Sequence, residues 1–331
     1  MSTLDQPNLA NIMKLMVRTS LAIKPGENVL ILAGTEEELE IATFLYAETK
    51  SVGAEAAITI IDPRKNVHHE PPPFVAESMR RADVVIAVAY TLFYTKAKEE
   101  ALSAGARFAQ MGGEGKKDLV NLNFAERDIE LCVDRARRLA DRVTRSSTVE
   151  VTSERGTQLT LSLRDRKGVQ LLPFCREPGS FCCLPDYTEV ACAVVEGSAE
   201  GILVCDGTIL APPRFERVVD EPVTFRIRHG KIEDISGAKE AVDIEAILSQ
   251  AGPKGRLLGE FGMGATHNPR KLRGARGDMS SLGTIHMGFG KNDMLGGKID
   301  ARSHMDFMVR EPTLKLDEIV LIEGGRFVLE E

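Results

Sequence analysis

The feature that most constrains this chain is a change of hydrophobic period near residue 144. Before it, short apolar runs at residues 28–33, 56–61, 83–89 and 106–111 alternate with helically spaced segments at 36–51, 74–81, 95–103 and 124–141. Parallel strands need long crossovers, so this alternation specifies a parallel sheet covered by helices. After residue 147 the period drops to two. Val149-Glu150-Val151-Thr152 and Leu159-Thr160-Leu161-Ser162-Leu163 join across Glu154-Arg155-Gly156-Thr157, and 223–227 joins 231–235 across His229-Gly230. One helix, at 238–249, interrupts the strands and stops at Gly252-Pro253. The expected architecture is α/β plus mostly β: a Rossmann-like α/β domain at 1–145 and a mainly antiparallel β domain at 146–331 that carries the chemistry.

A dinucleotide site is the first function to test on such an amino-terminal domain. The turn after its first strand is Gly34-Thr35-Glu36-Glu37-Glu38, which lacks the Gly-x-Gly-x-x-Gly fingerprint and sets three carboxylates where a pyrophosphate needs bare amides. Met111-Gly112-Gly113-Glu114-Gly115-Lys116-Lys117 lacks the spacing and the Ser/Thr of a phosphate loop. No nucleotide cofactor is expected. With 42 basic against 49 acidic residues and no long basic run, nucleic acid is excluded as a partner. No apolar run approaches the ~20 residues of a membrane span, and residues 1–6 have no leader pattern. The chain reads as cytoplasmic, with no membrane partner. Its six cysteines form no Cys-x-x-Cys pair and read as buried thiols. His68-His69, without a carboxylate motif nearby, is not a metal pair.

The second domain carries a metal-ligand pattern. In Arg302-Ser303-His304-Met305-Asp306-Phe307-Met308 an imidazole and a carboxylate stand two apart, so on a strand they share one face with Cα atoms ~7 Å apart. His286 lies in the apolar stretch Gly283–Gly290, and Glu260 in Leu258-Gly259-Glu260-Phe261-Gly262-Met263-Gly264. Burying such groups together without a cation is unfavourable, which points to a divalent metal. His267, in the loop after Glu260, joins Glu260 as a candidate catalytic residue.

Several segments in the same order carry a family likeness: Lys24-Pro25-Gly26-Glu27, Leu184-Pro185 followed by Glu189-Val190, Ala199-Glu200-Gly201, Leu258-Gly259-Glu260, His286, and His304-Met305-Asp306-Phe307-Met308. Together they resemble the thermophilic-type aminopeptidase family of metallopeptidases. The resemblance implies two divalent ions per chain (zinc, cobalt or manganese) on Glu189, Glu260, His286, His304 and Asp306, with Glu260 bridging. It further implies a short-peptide or other small-molecule substrate and a homodimer. Ser198-Ala199-Glu200-Gly201, Gly262-Met263-Gly264 with Asn268-Pro269-Arg270, Gly296-Gly297-Lys298 and His304-x-Asp306 are also similar to the 2,5-dihydroxypyridine 5,6-dioxygenases, which use one Fe(II). In that reading His286, His304 and Asp306 form a facial triad. Ligand-capable groups at all five positions favour the hydrolase, an aminopeptidase that activates water against an amide. Two departures from the peptidase pattern, at Gly277–Gly283 and around Lys291-Asn292-Asp293, sit beside the ligands rather than on them. A metal-binding protein without catalysis is the third reading.

Overall fold

The computed structural model describes residues 5–63, 69–89, 92, 95–111, 113, 115–211, 215–237 and 239–328; His68, Gly112 and Glu114 lie outside them. The elements in chain order are α1 (Asp5–Lys14), β1 (Asn28–Ala33), α2 (Glu36–Ser51), β2 (Glu55–Ile60), α3 (Pro73–Arg81), β3 (Val84–Ala87), α4 (Lys96–Ser103), β4 (Arg107–Met111), α5 (Lys116–Val120) and α6 (Glu126–Arg145). There follow β5 (Thr148–Thr152), β6 (Gln158–Ser162), β7 (Val169–Leu171), β8 (Phe181–Leu184), β9 (Glu189–Ala193), β10 (Glu200–Cys205), β11 (Thr208–Ala211), β12 (Phe215–Val218), β13 (Val223–Arg228), β14 (Lys231–Gly237) and α7 (Lys239–Ala251). The last strands are β15 (Leu258–Gly264), β16 (Ile285–Gly290), β17 (His304–Val309), β18 (Thr313–Leu316), β19 (Ile319–Glu323) and β20 (Arg326–Phe327).

Two compact units result, Met1–Leu131 with Leu172–Tyr187, and Cys132–Leu171 with Thr188–Glu331. The chain thus passes between units more than once, where the periodicity gave a single division at 145/146. In the first unit five parallel strands run in the order β2-β1-β3-β4-β8. Leu30, Leu32, Val85, Ala87 and Phe108 cover one side of it against Val75 and Met79 of α3 and Ala97 and Ala101 of α4. α2 starts with a capping box: the Glu38 amide donates to the Thr35 hydroxyl, and the Glu38 carboxylate accepts from the Thr35 and Gly34 amides at 2.9 and 2.7 Å. The amides that would cradle a phosphate are thus committed to a side chain of the same turn. Cys182 and Cys183 lie on β8, a strand that joins this parallel sheet although the strands before and after it, β7 and β9, belong to the other unit.

The second unit contains two antiparallel sheets, one of eight strands ordered β14-β13-β10-β6-β5-β18-β19-β20 and one of seven ordered β12-β11-β17-β16-β15-β9-β7. Their core includes Phe225 of the first and Phe289 and Phe307 of the second, with ring centroids 4.5 to 6.4 Å apart. No helix among the described residues is long and apolar enough to cross a membrane.

Candidate metal centre

Strand alternation explains how one short sequence serves both a core and a site. Across β9, β15, β16 and β17 the register pairs Glu189 with Gly264, Gly262 with His286, Glu260 with Gly288, Gly288 with Asp306 and Gly290 with His304. Residues at these positions share one face of the seven-stranded sheet. The intervening residues Phe261, Met263, Met287, Phe289, Met305 and Phe307 point to the other face and are fully buried in the core. A register shift between Leu258 and Glu260 marks a β-bulge at Gly259.

Glycine is required where these side chains converge. A Cβ on Gly288 would lie 2.7 Å from the Cβ of Glu260, 2.9 Å from Cε1 of His304 and 3.0 Å from Oδ1 of Asp306. Three ligand-capable side chains therefore close over one bare backbone position.

Five groups meet as two trios that share Glu260. His286 Nε2 lies 3.5 Å from Glu189 Oε1 and 3.6 Å from Glu260 Oε1; His304 Nε2 lies 3.1 Å from Glu260 Oε2 and 3.0 Å from Asp306 Oδ1. Each oxygen of Glu260 thus faces a different trio. Within each trio one donor atom per residue lies within 4.8 Å of the others. His304 Nδ1 is 2.7 Å from the Lys291 carbonyl, so the proton sits on Nδ1 when the ring is neutral and Nε2 offers its lone pair to the site.

Burial is the largest influence on Glu260 and would raise its pKa, but hydrogen bonds from His286 and His304 outweigh it and hold the carboxyl well below the usual range. For His286 burial would lower the pKa. The charge of Glu189 and hydrogen bonds to Glu189 and Glu260 reverse this and lift the imidazole to about 10.

The donor set fits a divalent cation. Three carboxylates outnumber two imidazoles, so the cluster keeps negative charge even with both rings protonated. Its nitrogen and oxygen donors suit ferrous iron, manganese, zinc or cobalt. His286 Nδ1 is buried without a hydrogen-bond partner, and the buried Asp306 Oδ1 has only His304 Nε2, itself a donor atom of the site, beside it at 3.0 Å.

All five residues singled out from the sequence as ligands come together here. His286, however, joins Glu189 and Glu260; the trio with His304 and Asp306 is completed by Glu260, so the expected triad of His286, His304 and Asp306 is not the grouping observed. The reason is register, since His286 sits opposite Gly262, one pair further from Asp306 than Gly288 is. His267 belongs to neither trio. It lies in the loop after β15, whose later part Asp278 organises by accepting from the Thr208 hydroxyl at 2.6 Å and the Arg273 and Gly274 amides at 2.9 and 2.8 Å. The sequence reading missed the Lys291 carbonyl and the buried Asn292, since a loop carbonyl has no sequence signature.

Residues 11–329 match the family described as NicX: 2,5-dihydroxypyridine 5,6-dioxygenase. The chain belongs to this family. No curated protein sequence matches it. Among solved structures it is similar to 2,5-dihydroxypyridine dioxygenase from Pseudomonas putida KT2440, with a TM-score of 0.80 at 19% identity over 98% of this chain and 97% of that one. It is also similar to wild-type AmpT from Thermus thermophilus, with a TM-score of 0.67 at 17% identity over 98% of this chain and all of that one. At such identities both likenesses bear on the fold.

The family match overturns the peptidase reading. The expected aminopeptidase, and with it hydrolase or protease activity on a short peptide, gives way to the dioxygenase first held as the alternative. Oxygen and nitrogen donors around a cation serve hydrolysis and oxygenation alike, so a ligand set by itself reports a metal and not a reaction. The segments flanking the ligands, Gly277–Gly283 and Lys291–Asp293, were the places where the sequence departed from the peptidases.

Proposed function

We propose that this chain is a divalent-metal dioxygenase that opens the ring of a small dihydroxylated aromatic of the pyridine type. The observation that carries this reading is the family match over residues 11–329 in a chain whose Glu260 of β15 and His304 and Asp306 of β17 converge across Gly288 of the strand between them. Ferrous iron bound there would supply redox activation of dioxygen beside the ring, with both oxygen atoms entering the product.

The residues' own contributions follow from their placement. Glu260 and Asp306 bring two negative charges to the cation position, and His304 is aimed by the Lys291 carbonyl. Glu189, Glu260 and His286 are buried, so water has little access to that side of the site. In the metal-free chain the carboxylates of Glu189 and Glu260, 3.5 and 3.6 Å from His286 Nε2, favour a proton on that nitrogen, which a cation would displace. The trio Glu189, Glu260 and His286 offers a second cation position through the other oxygen of Glu260, which supports a capacity of two ions per chain, with zinc, cobalt or manganese able to occupy it. Self-association as a homodimer is part of the same proposal and rests on resemblance alone.

The test is anaerobic purification with elemental analysis, followed by oxygen-electrode assays on 2,5-dihydroxypyridine and dihydroxybenzenes. One iron per chain, with or without a second divalent ion beside it, and one dioxygen consumed per ring opened support the reading. An iron-loaded chain that consumes no oxygen with any of these rings defeats it.

A further inference from the structure

We propose that Asn292 is a positioning residue that sets the spacing between Glu260 and His304; this rests on the metal-site reading above. Asn292 is 2% exposed, and every polar group it has is used. Its amide nitrogen donates to the Gly259 carbonyl at 2.9 Å, and its amide oxygen accepts from the Ile299 backbone at 2.8 Å. Its own carbonyl accepts from the Leu295 and Gly297 amides at 3.1 and 3.0 Å, and its own amide donates to the Ile299 carbonyl at 3.3 Å. Gly297 makes room for it, since a Cβ there would lie 2.1 Å from the Asn292 amide nitrogen.

What these bonds tie together matters more than their number. Gly259 is the bulged residue immediately before Glu260, and its carbonyl accepts from Val194 on one side and from Asn292 on the other. Lys291, immediately before Asn292, presents the carbonyl that takes His304 Nδ1. One buried amide therefore fastens the support of His304 to the backbone that aims Glu260. Either ligand alone has other restraints, and the Gly290 amide also reaches the Leu257 carbonyl, but Asn292 joins the two supports through a buried side chain. A support one step removed from a metal typically changes affinity 10- to 100-fold when removed.

The experiment compares Asn292→Ala and Asn292→Ser with Thr157→Ala in the full chain. Thr157 is equally buried and bonds Val204 in the other sheet of the same unit, so it reports general loss of a buried hydrogen bond. Cobalt(II) is titrated anaerobically into each metal-free protein against a competing chelator, and the visible d–d spectrum is recorded with the melting temperature. The expected result is at least a tenfold loss of cobalt affinity with an altered spectrum in the Asn292 variants. Thr157→Ala should melt earlier yet keep the wild-type affinity and spectrum. Wild-type affinity and spectrum in the Asn292 variants would overturn the proposal, and so would failure of both to fold, which would make Asn292 a residue of global stability. If the wild-type chain takes up no cobalt, the metal-site reading itself fails, a result distinct from any behaviour of the variants.

Discussion

Gly262 and His286 are direct partners across β15 and β16, and a Cβ on Gly262 would lie 2.1 Å from His286 Nε2. The imidazole therefore lies flat over a residue that must have no side chain. Adding one methyl should push the ring away from Glu189 and Glu260, where it is now held at 3.5 and 3.6 Å.

Gly262→Ala should accordingly destabilise the chain by about 1–3 kcal/mol through overpacking and weaken metal binding at the trio containing His286. Chemical denaturation and metal titration of the same preparation check this. A variant with unchanged metal binding would place the ring elsewhere.

His304→Ala removes a donor that reaches both Glu260 and Asp306, and Asp306→Asn and Glu260→Gln each remove one negative charge from the same trio. Each should lower metal affinity by more than the ~10- to 100-fold typical of an outer support and reduce turnover to background. Far-ultraviolet circular dichroism should stay native-like, since the helices of the parallel-sheet unit carry none of these residues. Oxygen uptake that survives His304→Ala would remove that residue from the site.

Proton linkage gives a signed expectation for the metal-free chain. Burial opposes the charged form of His286, but Glu189, Glu260 and Asp306 together raise its pKa from 6.5 to about 10. A raised imidazole contributes stability that is complete below 6.5 and lost as pH climbs through about 10. Glu260 is lowered from 4.5, so its contribution is complete above 4.5 and lost as pH falls through its depressed value. Metal-free protein should therefore be most stable between these two ordinary values. A cation in the trio with His286 must displace that proton, so its affinity should rise about tenfold per pH unit up to about pH 10 and then level. Chelator-competition titrations across pH would show this slope; a flat profile would mean that no proton leaves.

All six cysteines are free and buried, and burial pushes the Cys192 and Cys205 thiols up to about 12. A thiol needs to ionise to react, so an aromatic disulfide reagent near pH 8 should label almost none in the native protein and all six after unfolding. Rapid labelling of the native chain would contradict the packing of β9 and β10.

Much of the fold was legible because it depends on local period. The sequence reading of strand 28–33 and helix 36–51 coincides with β1 and α2, since the five apolar residues Val29–Ala33 and a Thr35/Glu38 capping pair act within a few residues of themselves. The alternation in Leu258–Gly264 likewise announces a strand with a carboxylate on one side and phenylalanine and methionine on the other. Membership of β8 in the parallel sheet was not legible, because Phe108↔Phe181 pairing joins residues far apart in sequence and nothing in Phe181-Cys182-Cys183-Leu184 names its neighbour.

The sequence by itself determined which residues could hold a cation, for donor chemistry belongs to the side chain wherever it lies. Only the tertiary structure decided how they are grouped. Cross-strand register puts Gly288 between Glu260 and Asp306 and sets His286 against Gly262, so Glu260 faces two trios with its two oxygens. A register is the joint outcome of a bulge at Gly259, an amide from Asn292 and phenylalanine packing on the opposite face, and such long-range agreement is not written in any one segment.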